Sequence, residues 1–93
     1  MPIRSFGDAD TEALYATGRS RKFANIVNVA LRKLDMLDAA GALRDLRSPP
    51  GNHLESLSGN RAGQNSIRIN DRWRVCFIWT PAGPTNVEIV DYH

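Results

Sequence analysis

The chain has 93 residues, of which 42% are hydrophobic and 24% charged, and its net charge is +2. This length suits one domain around one hydrophobic core, and the balance of apolar and charged residues argues against disorder. The sequence has no apolar stretch of membrane-spanning length, no signal-peptide pattern and a single cysteine, so we expect a cytoplasmic protein whose one domain covers residues 1–93.

The beginning of the chain has the pattern of a short strand followed by a short helix. Residues 3–6 favour an opening strand. Asp8 or Asp10 can cap the helix that follows, because a carboxylate can accept from free backbone N–H groups of the first turn. Gly18 is placed to end the helix in a left-handed conformation. We expect its apolar side to consist of Ala13, Leu14 and Ala16.

A second, longer helix is predicted by apolar residues that recur every three or four positions. Ser20 is its candidate cap, Gly41 ends or bends it, and residues 43–46 favour one more turn before Pro49 and Pro50 stop the helical pattern. The apolar positions are Phe23, Ile26, Val27, Ala30, Leu34 and Leu37. The basic residues off this stripe are Arg21, Lys22, Arg32 and Lys33, which with Arg19 form either a solvated face or a surface for an anionic partner.

After residue 51 the apolar pattern changes to alternation, which is typical of strands. Segments 53–57, 64–69, 72–79 and 87–90 are the strand candidates, separated by a loop at 58–63 and a turn at 81–84. The order of elements predicts an α+β fold in which one N-terminal strand and two helices precede an antiparallel sheet. We expect Trp73 and Trp79 to pack in the core.

The loop between the two clearest strands decides which side chains share a face. A two-residue loop would pair Arg68 with Trp73, whereas a three-residue loop at 70–72 would place the apolar residues together. We favour the second register, whose cross-strand pairs are Ile69 with Trp73, Ile67 with Val75, and Arg68 with Arg74.

This register brings two guanidinium groups opposite each other, which is unfavourable unless an anion lies between them. The predicted pair therefore suggests a phosphate site, because arginine binds two oxygens of one group at once. The alternative is that each arginine pairs with a nearby acid, such as Asp71, Glu88 or Asp91.

Three motifs together carry a resemblance to a known family. They are Gly-Asn-Arg-Ala-Gly at 59–63, Trp-Arg at 73–74 and Asp-Tyr-His at 91–93. With the similarity along nearly the whole chain, they resemble the HigB-type toxins of the RelE/ParE superfamily. The resemblance implies a microbial-RNase-like (RelE-like) fold and a ribosome-dependent endoribonuclease that cleaves mRNA in the A site without a metal or cofactor. It also implies a HigA-like helix-turn-helix antitoxin, and operator DNA binding only through the toxin–antitoxin complex.

The resemblance also implies roles for individual residues. The catalytic set would be Arg68, Arg74, Asp91, Tyr92 and His93. The residues that would grip ribosomal or messenger RNA are Arg19, Arg21, Lys22, Arg32, Lys33 and Arg61. His93 is the best candidate for proton transfer, since a histidine titrates near neutral pH. Cys76 is expected to be an inert, partly buried thiol, and two histidines with one cysteine do not reach the spacing of a metal site.

The chain departs from the family pattern at one place. Some relatives have a lysine where this chain has Ser58, and a histidine where it has Glu55, so the catalytic set is thinner here. Two alternatives to the nuclease stay open, and the departure bears on the second of them. One is a gyrase poison like the ParE branch, and the other is a catalytically weak toxin that acts mainly as a co-repressor with its antitoxin.

Overall fold

In a computed structural model that describes residues 1–91, helix α1 (Ala9–Thr17) lies between the capping residues that the sequence predicts. The Asp8 carboxylate accepts from the N–H of Thr11 at 3.2 Å, and Gly18 ends the helix with a φ of 73°. The predicted apolar side was wrong, because Ala13 and Ala16 are exposed. The helix instead buries Leu14 and Thr11, whose hydroxyl accepts from the N–H of Ile89 at 3.0 Å.

Helix α2 (Val27–Ala39) begins later than predicted. Ser20 does accept from the N–H of Phe23 at 3.0 Å, but residues 21–26 form turns and not helix. The helix ends before Gly41, as expected. The predicted stripe is still the side that packs, since Phe23, Ile26, Ala30, Leu34 and Leu37 are buried.

Two 3-10 turns connect α2 to the sheet. Leu43–Arg47 is the extra turn that the sequence predicts, and it buries Leu46. Pro50–Asn52 follows, and Asn52 is completely buried. These turns set the position of the segment that enters the first strand.

The sheet is an antiparallel meander in which each strand pairs with the next. Its strands are β1 (Glu55–Ser56), β2 (Asn65–Arg68), β3 (Trp73–Thr80) and β4 (Gly83–Asp91), in the order β1-β2-β3-β4. Strand β1 is shorter and β4 longer than the sequence patterns suggest. Two helices with a four-stranded antiparallel sheet confirm the predicted α+β class.

The predicted opening strand is reduced to a single parallel bridge between Phe6 and Val87. The backbone N–H of Val87 donates to the carbonyl of Ser5 at 3.1 Å, whereas the N–H of the preceding residue, Asn86, donates to the Ser5 hydroxyl. Asn86 has a φ of 51°, which turns its backbone out of strand geometry and interrupts the ladder. Gly83 leaves no room for a side chain, because a Cβ there would collide with the carbonyl oxygen of Pro2.

The β2–β3 hairpin has the register that the burial argument favours. Ile67 lies opposite Val75, Arg68 lies opposite Arg74, and the N–H of Ile69 donates to the carbonyl of Trp73 at 2.9 Å. The buried face of the sheet packs on the helices and includes Ile67, Ile69, Val75, Phe77, Val87 and Ile89. Trp73 and Trp79 are half-buried at the border of this core. Within residues 1–91, no helix has the length and apolar character needed to cross a membrane.

Candidate functional site

The arginine pair lies on the face of the sheet opposite the core. Arg68 on β2 and Arg74 on β3 are direct cross-strand partners, so both guanidinium groups project from the same face. Both arginines also have acidic partners: Arg68 pairs with Asp71, and Arg74 with Glu55. The structure therefore contains the predicted pair, together with the acid contacts that were its alternative.

Arg74 is held in place by three neighbouring elements. Its Nε donates to the hydroxyl of Ser66 at 2.9 Å, its Nη2 donates to the carbonyl of His53 at 2.6 Å, and its Nη1 lies 3.3 Å from the Glu55 carboxylate. The side chain is only 12% exposed. A guanidinium fixed in this way is oriented before any ligand arrives, which is the property that an electrostatic catalyst needs.

Arg68 is held less firmly. Its partner Asp71 lies in the hairpin loop with a side chain that is 98% exposed. An ion pair with such an exposed carboxylate contributes little to stability, since water solvates both charges. The ion pair with Asp71 therefore constrains Arg68 less than its three contacts constrain Arg74.

A row of polar residues crosses the sheet beside the arginines. Glu55, Ser66, Cys76 and Glu88 are successive cross-strand partners on the four strands. Arg61, from the loop between β1 and β2, reaches Glu88 at 2.7 Å and also donates to Gln64. The expectation that Cys76 is only partly buried was wrong, because the residue is 0% exposed.

Burial raises the pKa of the Cys76 thiol, and the neighbouring guanidinium groups only partly oppose this effect. Less thiolate therefore forms at a given pH, and access is also blocked. We expect iodoacetamide at pH 8 to modify Cys76 in the native protein at least about 10²-fold more slowly than in urea, as followed by mass spectrometry. Equal rates in the two conditions would show that the outer face does not cover the thiol.

A surface groove of about 360 Å³ lies next to Arg74, on the side of β1. Glu55 belongs both to this groove and to the contacts of Arg74. The lining residues are Leu43, Arg44, Arg47, Leu54, Glu55, Ser56 and Asn65. The sequence did not predict that Glu55, Arg44 or Arg47 would lie at the candidate site. The sequence indicated only that Glu55 is an acid at a position where some members of the family have a histidine, within five residues of the glycine-rich loop.

The described part of the predicted tail is paired with the β2–β3 hairpin. Asp91 accepts from the Nε of Arg72 at 2.9 Å and lies opposite Trp73 in the sheet. Val90 is the residue opposite Arg74, so strand alternation directs Asp91 to the other face from the arginine pair. The predicted roles of Tyr92 and His93 fall outside the described residues.

The basic residues predicted to grip RNA divide into two groups. Arg19, Arg21, Lys22 and Arg32 are exposed, and Lys22 lies 3.6 Å from the Asp10 carboxylate. Lys33 and Arg61, in contrast, are partly buried and are bonded within the protein. The prediction that Lys33 belongs to the solvated side of α2 was wrong, because its ammonium donates to the buried side chain of Asn52 at 2.6 Å.

The part of the chain that the structure describes contains no group of three or more histidine, cysteine, aspartate or glutamate side chains placed to hold a metal ion.

The chain is also similar to known proteins of one family. The model of the HigB-like toxins, described as RelE-like toxins of type II toxin–antitoxin systems, matches residues 4–93. Toxin HigB-1 of Vibrio cholerae is 43% identical over 76 residues, which are 80% of each chain. An uncharacterized protein of Haemophilus influenzae is 41% identical over 63 residues, 68% of this chain and 62% of that one. A solved YoeB/ParE toxin from Agrobacterium tumefaciens superposes with a TM-score of 0.46 at 20% identity, covering 98% and 94% of the two chains.

Proposed function

The chain belongs to the HigB-like toxins of type II toxin–antitoxin systems, and from this we propose that it is an endoribonuclease that cleaves mRNA in the ribosomal A site and so stops translation. A toxin of this type acts with an antitoxin, and we propose that its antitoxin is a HigA-like helix-turn-helix protein. Binding to operator DNA would then occur only in the complex with that antitoxin.

The observation that carries the nuclease proposal is the opposed pair of Arg68 and Arg74 beside the Glu55 carboxylate. In the proposed reaction the RNA 2′-hydroxyl attacks the adjacent phosphorus and the bond to the 5′-oxygen breaks. The products are a 2′,3′-cyclic phosphate and a 5′-hydroxyl. The two guanidinium groups would stabilise the negative charge that develops on the phosphate oxygens in the transition state.

Proton transfer completes this reaction. A base must take the proton of the 2′-hydroxyl and an acid must supply one to the leaving 5′-oxygen. Glu55 is a partly exposed carboxylate held 3.3 Å from Arg74, which suits a base at this site. We assign His93 the role of acid and Tyr92 that of stacking against an mRNA base. Asp91 accepts from Arg72 and is directed to the face away from the arginine pair, so its proposed role is to hold the end of β4 in place and not to contact the phosphate.

The exposed residues Arg19, Arg21, Lys22 and Arg32 would contact ribosomal RNA phosphates away from the chemistry. Such contacts depend on salt and not on sequence. Arg61 is engaged by Glu88 and Gln64, so its proposed role is to fix the loop and not to grip RNA.

The test is primer extension on a reporter mRNA after brief induction of the chain without antitoxin. Wild type is expected to cut within translated codons, and the cuts should disappear when initiation is blocked. His93→Ala should abolish them, whereas Glu12→Ala, on the exposed side of α1, should leave them unchanged. Growth arrest without any cuts would favour the gyrase-poison alternative. Neither arrest nor cuts, with promoter repression by the complex, would favour the co-repressor.

A further inference from the structure

Lys33 projects from α2 towards the turn that precedes β1, where its Nζ donates to the Oδ1 of Asn52 at 2.6 Å. Asn52 is completely buried, and its Nδ2 donates to the carbonyls of Leu46 and Ser48 at 3.1 and 3.3 Å. These two acceptors fix the orientation of the amide, because a flipped amide would face them with its oxygen. The amide oxygen must therefore face Lys33, and the ammonium has a defined position.

The same turn also holds Arg74. The residue after Asn52 is His53, whose backbone carbonyl accepts from the Nη2 of Arg74 at 2.6 Å. Two consecutive residues thus anchor a cation from the helix and a cation from the sheet. Arg68 lies directly opposite Arg74 in the sheet. Burial lowers the pKa of Lys33, and the charges of Arg32 and Arg68 lower it further.

Lys33 is partly buried and is held by a neutral amide and not by a carboxylate. Among residues 1–91, five other basic side chains have carboxylate partners within 4.0 Å, but Lys33 has none and is bonded to a neutral amide. A protonated amine has three N–H donors, of which Asn52 uses one. A partly buried cation is costly unless an anion compensates for it.

We propose that Lys33 is the third cation of the phosphate site, contacting an RNA phosphate together with Arg68 and Arg74, and that Asn52 is its positioning residue. This inference deepens the proposed function and rests on it for the identity of the RNA. It removes Lys33 from the ribosome-gripping group, to which its neighbour Arg32 still belongs.

The first experiment needs neither ribosome nor cleavage. Inorganic phosphate is titrated into the purified protein at constant ionic strength, and binding is followed by amide chemical shifts. We expect Lys33→Met to weaken phosphate binding about tenfold, in the range of one lost charge-assisted hydrogen bond. Lys33→Arg should recover most of the affinity. Arg4→Gln, an equal loss of charge on the exposed N-terminal segment, should change the affinity less than about twofold, and Arg68→Gln is the positive control.

The second experiment measures single-turnover cleavage on programmed ribosomes at saturating ribosome concentration. Lys33→Met should lower the cleavage rate at least about tenfold without changing sedimentation with ribosomes, whereas Arg4→Gln, an equal loss of charge on the exposed N-terminal segment, should change neither. Weakened sedimentation with an unchanged saturated cleavage rate for Lys33→Met would overturn the proposal, as would equal phosphate affinity of wild type and a folded Lys33→Met variant. If wild type cuts no mRNA, the proposed function fails, while the phosphate titration still decides whether Lys33 binds the anion.

Discussion

The Arg74→Gln variant is expected to cleave mRNA about 10²–10³-fold more slowly than wild type, the loss seen when a preorganised donor to a transition-state charge is removed. Glutamine keeps a donor but loses the positive charge and the planar fork that two phosphate oxygens require. The measurement is the single-turnover rate on programmed ribosomes. Arg74→Lys, which keeps the charge without the fork, should lie between the two.

Arg74 also bonds to Ser66, His53 and Glu55, so its loss affects the fold as well as the chemistry. Thermal unfolding of the variant is measured alongside the rate, and only folded protein is assayed. Arg4→Gln, an equal loss of charge on the exposed N-terminal segment, is the matched control and should cleave at the wild-type rate. A folded Arg74→Gln variant that cleaves within threefold of wild type would mean that Arg74 does not contact the reacting phosphate.

Replacing Phe77 by alanine is expected to lower the free energy of unfolding by about 3–5 kcal/mol. Phe77 is in β3, is 0% exposed and packs in the cluster that joins the sheet to the helices. The total stability of a domain of this size is about 5–15 kcal/mol, so the variant should be close to its unfolding threshold. Urea unfolding followed by tryptophan fluorescence gives the difference directly.

Phe77→Leu is the matched control, because it keeps an apolar side chain of similar length and should lose only about 1 kcal/mol. If the alanine variant had the same urea midpoint as the leucine variant, the core would have closed around the cavity and the packing argument would be wrong.

The features that the sequence predicts well are those set by neighbouring residues. The Asp8 and Gly18 caps follow from local hydrogen bonding and backbone conformation, and both are where they were expected. The β2–β3 register follows from the alternation of large apolar residues, because a shift by one residue would have exposed all of them.

The features that it misses depend on contacts between distant parts of the chain. The apolar period continues through residues 21–26 although they form turns, so periodicity alone could not locate the start of α2. Lys33 is off the apolar stripe of its own helix, and its partner Asn52 lies 19 residues further along. Likewise the Arg61–Glu88 pair joins residues 27 positions apart.

The meander order of the sheet has a consequence for how the chain folds. Each strand pairs with the next one in the sequence, so every hairpin can close over a short loop at a low cost in chain entropy. The N-terminal segment is different, since the bond from the Asn86 N–H to the Ser5 hydroxyl joins residues 81 positions apart. Contacts of such separation form slowly unless the intervening chain is already compact. Docking of the first residues along β4 is therefore expected to be a late event, which closes a globule that the helices and the meander have already built.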